Sequence, residues 1–447
     1  MIRKPQQSSP ENLWNRLARD LIYDSKQVLL YSGIQIPERK LKGERVDYSD
    51  VVERVTHGTR YGAIHDPNTN RIHFEPDYIQ TIIDRQSRFN FPVFDKSFGA
   101  GGIAAYIQEG DGPDFELKTP SLNQIIKQGM IAKKWSMPFA FVSARRLSEY
   151  EVEQFGVMTN VYDGPIFLNV STPGGIEAAQ VANQDGRYII TNHSVFDSPL
   201  TLSYKEKVDV LVQCAERGVP VYLTTMPFSG QNGPMTPYGI ALLAFAEFLA
   251  GMAIVHSINP ETTIINGAYP TLCTAGKFPE LKLGSAVHNF TNYLVAYTSR
   301  LLDIPSIQSG CTIEGQVHRD EILGTDFQTV RAMLLWEDIF EGWHMLRHTY
   351  GFLADLAHFS FQKAEDDIAA LQHIQSLEDE GITAVLSNNV RLNRDFKKAM
   401  DIYKRPTMIF NREKGEVVDV IIETVENFNG DFGRHDHTLK NIPSEWF

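Results

Sequence analysis

From about residue 120 onward, short apolar runs alternate with helix-length amphipathic segments. The runs are PFAFVSA (138–144), PIFLNVS (165–171), YIITNHS (188–194), VPVYLTT (219–225), TTIINGA (262–268), IPSIQSG (304–310) and HTYGFLA (348–354). Each has strand length and is bounded by turn residues. Between them lie segments such as SYKEKVDVLVQCAERG, with apolar residues at helical spacing and Gly218 as its stop. Strands separated by helices predict parallel βα units. With an eighth unit in the C-terminal third, the pattern predicts an α/β fold. It is a (β/α)8 TIM barrel over residues 120–447, with residues 1–119 as an N-terminal α+β extension. A doubly wound open sheet is the alternative.

In the extension, Trp14, Leu17, Leu21, Val28 and Leu29 recur at helical spacing and predict one amphipathic helix followed by an exposed turn. The stretch from Tyr48 to Phe94 reads as short strands and a helix, with a turn at Asp66-Pro67-Asn68. The glycines of SFGAGGIAAYIQEGDGPD (97–114) predict a tight loop. They do not make a dinucleotide fingerprint, because the third glycine and the βαβ setting are missing.

Most of the runs end in small polar residues. In a barrel, polar groups at strand carboxyl ends form the mouth where chemistry is done. On this reading Asn192, His193, Thr225, Asn266, Gln308 and His348 line the mouth, each at or just past a strand end. Tyr222, Phe228, Tyr269 and Trp336 bring aromatic faces to or near the same loops. Cys311, Glu314 and His318 share one loop. Glu337, Glu341, His344 and His348 surround the last run, and Glu341 and His344 have a spacing that would put them on one helix face. None of these forms a known zinc motif, so no metal ligands are assigned, and metal assistance stays open.

Composition narrows the class. The 447 residues carry a net charge of −13, which argues against nucleic-acid binding. The three cysteines do not suggest a disulfide framework, and a reducing, cytoplasmic setting is expected. The first twenty residues have no apolar core of a secretory leader. The longest apolar stretch, Ile240 to Ile254, is interrupted by Glu247 and is shorter than a membrane span, so a buried barrel helix is expected and no membrane partner. Its lack of a polar face predicts burial by the barrel, by the N-terminal segment or by a second subunit, and a homodimer is expected.

The most specific stretch is 218–251, GVPVYLTTMPFSGQNGPMTPYGIALLAFAEFLAG. Its run MP-x(2)-G-x(2)-GP-x-T ahead of an AEFLAG helix resembles the trimethylamine methyltransferase family. VLLYSGIQIP, NHSVFDSPLTLS (192–203), Asp326-Phe327-Gln328 and the closing GDFGRHDHTLKNIPSEW extend the similarity. The resemblance implies a corrinoid-dependent methyltransferase. It would move a methyl group from a small methylated donor to Co(I) of a corrinoid (cobalamin) carried by a separate partner protein. All letters are standard residues, which points to the branch without pyrrolysine, where the donor is a quaternary amine such as glycine betaine. O-demethylation of a methoxylated aromatic is the alternative, and a non-catalytic barrel that binds a methylated ligand is a further one. Where many members read Asp-x-Lys, this chain has Glu314-Gly315-Gln316. Glu314 is therefore the expected catalytic carboxylate, with His344 and His348 as catalytic candidates. Asn192, His193, Tyr222, Thr225, Phe228, Asn266, Tyr269, Gln308, Cys311, Gln316 and Trp336 are expected to line the donor site.

Overall fold

Strand formation in the middle of the chain follows from β-branched and aromatic triplets to quintets closed by turn residues. In the computed structural model, residues 10–57, 62–86, 97–98, 106–109, 116–141, 151–273, 281, 283, 286–309, 345–348, 351–353 and 358–376 are described. Eight short strands matter for the site. They are β1 (Ser97–Phe98), β2 (Ala140–Phe141), β3 (Ile166–Leu168), β4 (Ile189–His193), β5 (Val221–Thr225), β6 (Ile264–Ala268), β7 (Ile307–Ser309) and β8 (Met345–Arg347). Strands β2 to β6 form one parallel sheet in sequence order. Strands β7, β8 and β1 form a second parallel sheet. A parallel bridge from Asn266 to Ser306, with the Asn266 amide donating to the Pro305 carbonyl at 2.8 Å, joins β6 to the approach of β7.

Six of the expected runs contain these strands. The seventh is displaced. HTYGFLA does not supply the parallel strand, which is Met345–Arg347 just before it. His348 and Gly351 adopt positive φ (55° and 76°) and break the extended path. Phe352–Leu353 then pairs antiparallel with His358–Ser360. Ser97–Phe98, inside the expected extension, lies beside Met345–Leu346 in the parallel sheet.

Two hydrophobic clusters result. One lies between strands and helices. The other consists of Phe139, Phe167, Ile190, Tyr222, Ile265, Ile307 and Met345, contributed by β2 to β8 or the residue just before. Side chains alternate along a strand. Residues of the same parity as this cluster therefore share its face, and their neighbours point to the helices.

Helix α1 (Pro10–Ser32) buries the predicted Trp14, Leu17, Leu21, Val28 and Leu29. The central helix α2 (Pro237–Ile258) starts at Thr236, whose side chain accepts from the Gly239 amide at 3.0 Å, with Pro237 fixing the first turn. This helix has the length and hydropathy of a membrane span, yet its apolar window is wholly buried. It is packed by α1, by helices 49–57, 76–86, 205–216 and 286–301, and by β5 and β6 of the same chain. It thus leaves no apolar face for a second copy. Of the three expected sources of burial (the barrel, the N-terminal segment and a second subunit), the first two supply it: Tyr238 donates to the Asp24 carboxylate at 2.7 Å, and Tyr78 to the Ala253 carbonyl at 3.1 Å.

A carboxyl group is sealed within the packing around α2. Glu247 is fully buried and accepts from the Leu200 amide and the Ser198 hydroxyl, each at 3.0 Å. Burial raises its pKa to about 8 despite those two bonds. Beyond β8, a buried Lys363–Asp367 pair at 2.7 Å holds the Gly351 turn, because Asp367 also accepts from the Gly351 amide at 2.9 Å.

Candidate functional site

The carboxyl ends of the parallel strands bring together two groups of side chains. The first is polar. Asn192 donates to the Asn169 side-chain oxygen at 2.9 Å, and Thr224 donates to the Asn192 side-chain oxygen at 2.6 Å. All three share the parity of the inner cluster, and all are half-buried. The loop after β3 that carries Asn169 is fixed from below. Glu151 accepts from the Ser171 amide (2.7 Å), the Thr172 amide (3.0 Å) and the Thr172 hydroxyl (2.6 Å), and also from the Ser171 hydroxyl.

The second group is aromatic and cationic. Tyr222 points inward from β5, packs edge-on to Phe167 at 5.6 Å and donates to the Ile307 carbonyl at 3.0 Å. Its ring lies close across Gly267. A Cβ there would meet the ring at 2.5 Å and the Leu223 carbonyl at 2.8 Å, so only glycine fits. Arg347, the last residue of β8, places its guanidinium 5.1 Å from the Tyr222 ring and 5.4 Å from the Tyr269 ring. Tyr269 in turn meets His288 edge-on at 5.4 Å and His348 at 6.0 Å, and His348 packs edge-on to Phe352 at 5.2 Å. Burial holds both histidines neutral. His288 is pushed down to about 3, and His348 lies well below the usual range through burial and the Arg347 charge.

The expected mouth residues divide by strand parity. Asn192, Tyr222, Tyr269 and His348 belong to the two groups above. His193, Thr225 and Asn266 do not, and their expected place in the mouth is corrected. His193 is buried against the Thr191 hydroxyl (2.8 Å), Thr225 donates to the Ala244 carbonyl of α2 (2.9 Å), and Asn266 donates to the Ser299 hydroxyl (2.8 Å). Their odd-even position turns them to the helix layer. Gln308 is buried next to inward-facing Ile307, so alternation turns it the same way. Phe228 lies half-buried in the loop after β5. That loop is zipped to the loop after β6 by Ser229–Thr271 and Thr271–Pro227 backbone bonds (2.9 and 3.0 Å). Cys311, Glu314, Gln316, Trp336 and His344 lie outside the described residues, as do His318, Glu337 and Glu341.

Arg347, His288, Thr224 and Asn169 are the additional residues at these strand ends. Asn169 and Thr224 were visible as polar strand ends. Arg347 was hidden by the displaced last strand, and His288 sits in a helix with no motif around it. Among the described residues no three His, Cys, Asp or Glu side chains gather as metal ligands. Cys214 and Cys273 are buried, and Cys273 accepts from the Gln231 side chain at 3.5 Å. A cleft lined by Ile36, Arg45, Tyr48, Glu53, His65 and Asn70 opens on the N-terminal segment.

These features describe a class: an α/β protein of parallel strands that gathers rings, amides and a cation towards the strands' carboxyl ends. The sequence of that region is similar to a known family. Residues 175–392 match the model of the trimethylamine methyltransferase family. The chain is also 28% identical over 181 residues to glycine betaine methyltransferase of Desulfitobacterium hafniense (strain Y51). That match covers 40% of this chain and 36% of the relative, little more than a third of its length. Two solved structures are distantly alike. A truncated 3-deoxy-D-arabino-heptulosonate 7-phosphate synthase from Thermotoga maritima shares 15% identity over 64% of this chain and 87% of its own, with a TM-score of 0.37. N-acetylneuraminate lyase from Mycoplasma synoviae shares 9% over 74% and 98%, with a TM-score of 0.30. At these scores neither bears on the reading of the site.

Proposed function

We propose that this protein is a methyltransferase that takes a methyl group from a quaternary amine such as glycine betaine and delivers it to Co(I) of a corrinoid held by a separate carrier protein. The observation that carries this reading is the ring-lined, polar-edged group at the strand ends, most of it, from Asn192 to His348, within the segment that matches the family model. We read the parallel strands as a (β/α)8 barrel over residues 120–447, joined by β1 from the extension 1–119. The single inner cluster drawn from seven successive strands supports closure. A homodimer in the cytoplasm completes the proposal. It rests on the family resemblance and on composition, since α2 is already covered within one chain.

The corrinoid, when its carrier docks at the mouth, supplies the nucleophile. This chain therefore needs no nucleophile of its own. Its residues bind the donor, aim one methyl carbon outward along the strand axis and keep water away. As the carbon–nitrogen bond breaks, its electron pair stays with nitrogen and a neutral tertiary amine leaves. No proton is required. Neutral His288 and His348 suit that chemistry better than ether cleavage, whose phenoxide needs an acid. Tyr269 and His348 would form part of the wall around the trimethylammonium group. Glu314, with His344 nearby in sequence, would face the cationic nitrogen from the loop after β7.

The test compares N-methyl and O-methyl donors with Co(I)-cobalamin as acceptor, in the parent and in Glu314→Gln. Quaternary amines should consume Co(I) and aryl methyl ethers should not. Glu314→Gln should slow the reaction by about 10²-fold, the scale of a positioned charged group. Activity on aryl ethers alone would move the assignment to O-demethylation. Full activity of Glu314→Gln would remove that carboxylate from the mechanism.

A further inference from the structure

Among the described residues, the other buried cation has a partner: Lys363 is paired with Asp367, and the half-buried Lys205 and Arg39 are paired too, with Asp50 and Asp209 and with Asp197. Arg347 differs. It is 4% exposed, and among the described residues no carboxylate pairs with it and nothing accepts from its Nε. Its neighbours are the rings of Tyr222 and Tyr269, at 5.1 and 5.4 Å, and the neutral ring of His348. Ring faces offset part of the desolvation of a guanidinium, but a buried charge that has no counter-ion among the described residues remains costly. Its place is also specific. It ends β8 on the face of the inner cluster, in register with Ser309, at the end of the strands where the donor is expected.

We infer that Arg347 is the receptor for a carboxylate on the methyl donor, so the site selects trimethylammonium carboxylates over carboxylate-free amines. This deepens, and rests on, the quaternary-amine reading above. A planar guanidinium presents parallel N–H donors that match a carboxylate with two bonds, which a point-charge lysine does not. The two tyrosine faces hold the fork in a fixed plane before the donor arrives. A zwitterionic donor would place its acid group on Arg347, and the trimethylammonium end would then lie away from the cation. Choline, tetramethylammonium and trimethylamine offer nothing to Arg347 and leave it buried and uncompensated. The residue thus rejects them by leaving its own charge unpaired.

The test is direct binding to the full chain by calorimetry, without corrinoid. The ligands are trimethylammonium carboxylates with one to three methylenes between nitrogen and acid, against choline and tetramethylammonium. At least one carboxylate should bind the parent about 100-fold more tightly than choline. Arg347→Met should erase that preference, lowering carboxylate affinity about 100-fold while choline binding stays as it was. Arg347→Lys should recover only part of it. Thermal melting of each variant checks folding, and the comparison of ligands on the parent needs no variant. Equal binding of choline and every carboxylate by the parent, or parental carboxylate affinity in Arg347→Met, overturns the inference. No binding of any carboxylate to the parent does so as well. If Arg347→Met transfers methyl from a betaine at parental KM, this inference falls and the methyltransferase reading stands. If carboxylates bind through Arg347 but no donor is demethylated, the inference stands and that reading falls.

Discussion

Glu247→Gln should flatten the stability of this protein on the alkaline side of neutrality. The carboxyl is sealed inside the packing of α2, with a folded-state pKa of about 8 against 4.5 for the free group. Folded protein therefore keeps a proton that unfolded chain releases, and the contribution to stability falls as pH rises from about 4.5 to about 8, then levels off. At about 1.4 kcal/mol per pH unit, full ionisation costs about 5 kcal/mol. Between about pH 6.5 and about pH 8.5 the parent should lose about 2 kcal/mol from this group alone. Glutamine keeps an oxygen for the Leu200 amide and offers an N–H to the Ser198 hydroxyl, so it preserves both bonds without titrating. The assay is thermal unfolding of parent and variant at steps across that range. The two curves should converge at low pH and separate as pH rises, the variant being more stable. Parallel curves would refute the reasoning, since the carboxyl would then carry the same charge folded and unfolded.

Three further outcomes follow from the same packing. On the acid side, His193 and His288 are held neutral by burial, with pKa values near 3 rather than 6.5, so unfolded chain takes up protons that folded protein refuses. Stability should fall steeply as pH drops below about 6.5 and go on falling towards pH 3, with replacement of His193 by an uncharged residue easing that slope. Gly267→Ala should destabilise by about 1–3 kcal/mol in chemical unfolding and weaken donor binding, because the added carbon strikes the Tyr222 ring and the Leu223 carbonyl; unchanged stability would mean the inner face is not packed as described. Asp367→Ala should cost about 3–5 kcal/mol by taking the carboxylate away from buried Lys363, and should loosen the Gly351 turn that follows His348; hydrogen exchange at that turn checks it.

How much of this was legible in the sequence depended on how each element declares itself. The strands β2 to β7 were visible because each is an apolar run closed by small polar residues, and Gly218 marked a helix end that does turn at positive φ (66°). The last strand was misplaced by a few residues. Met345–Arg347 is only a triplet ending in a charge, whereas His348–Ala354 looks more apolar but contains two left-handed residues. Ser97–Phe98 has too few residues to show any period and is a strand only because Met345–Leu346 lies beside it. The facing of side chains was the harder matter. Parallel strands covered on both sides are apolar on both faces, so nothing in the sequence separates Asn192, which bonds to Asn169 and Thr224 on neighbouring strand ends, from His193, which is buried against Thr191. Arg347 shows the same limit: a buried arginine gains meaning only when the tyrosines from β5 and the end of β6 are seen around it.

The central claim is transfer of one intact methyl group from a quaternary amine. The most direct measurement mixes the purified protein with glycine betaine carrying deuterated methyl groups and a limiting amount of Co(I)-cobalamin. The account predicts one dimethylglycine formed for each Co(I) consumed, with both remaining methyl groups fully deuterated. Consumption of Co(I) without dimethylglycine, or no reaction with this or any other quaternary amine, would contradict it.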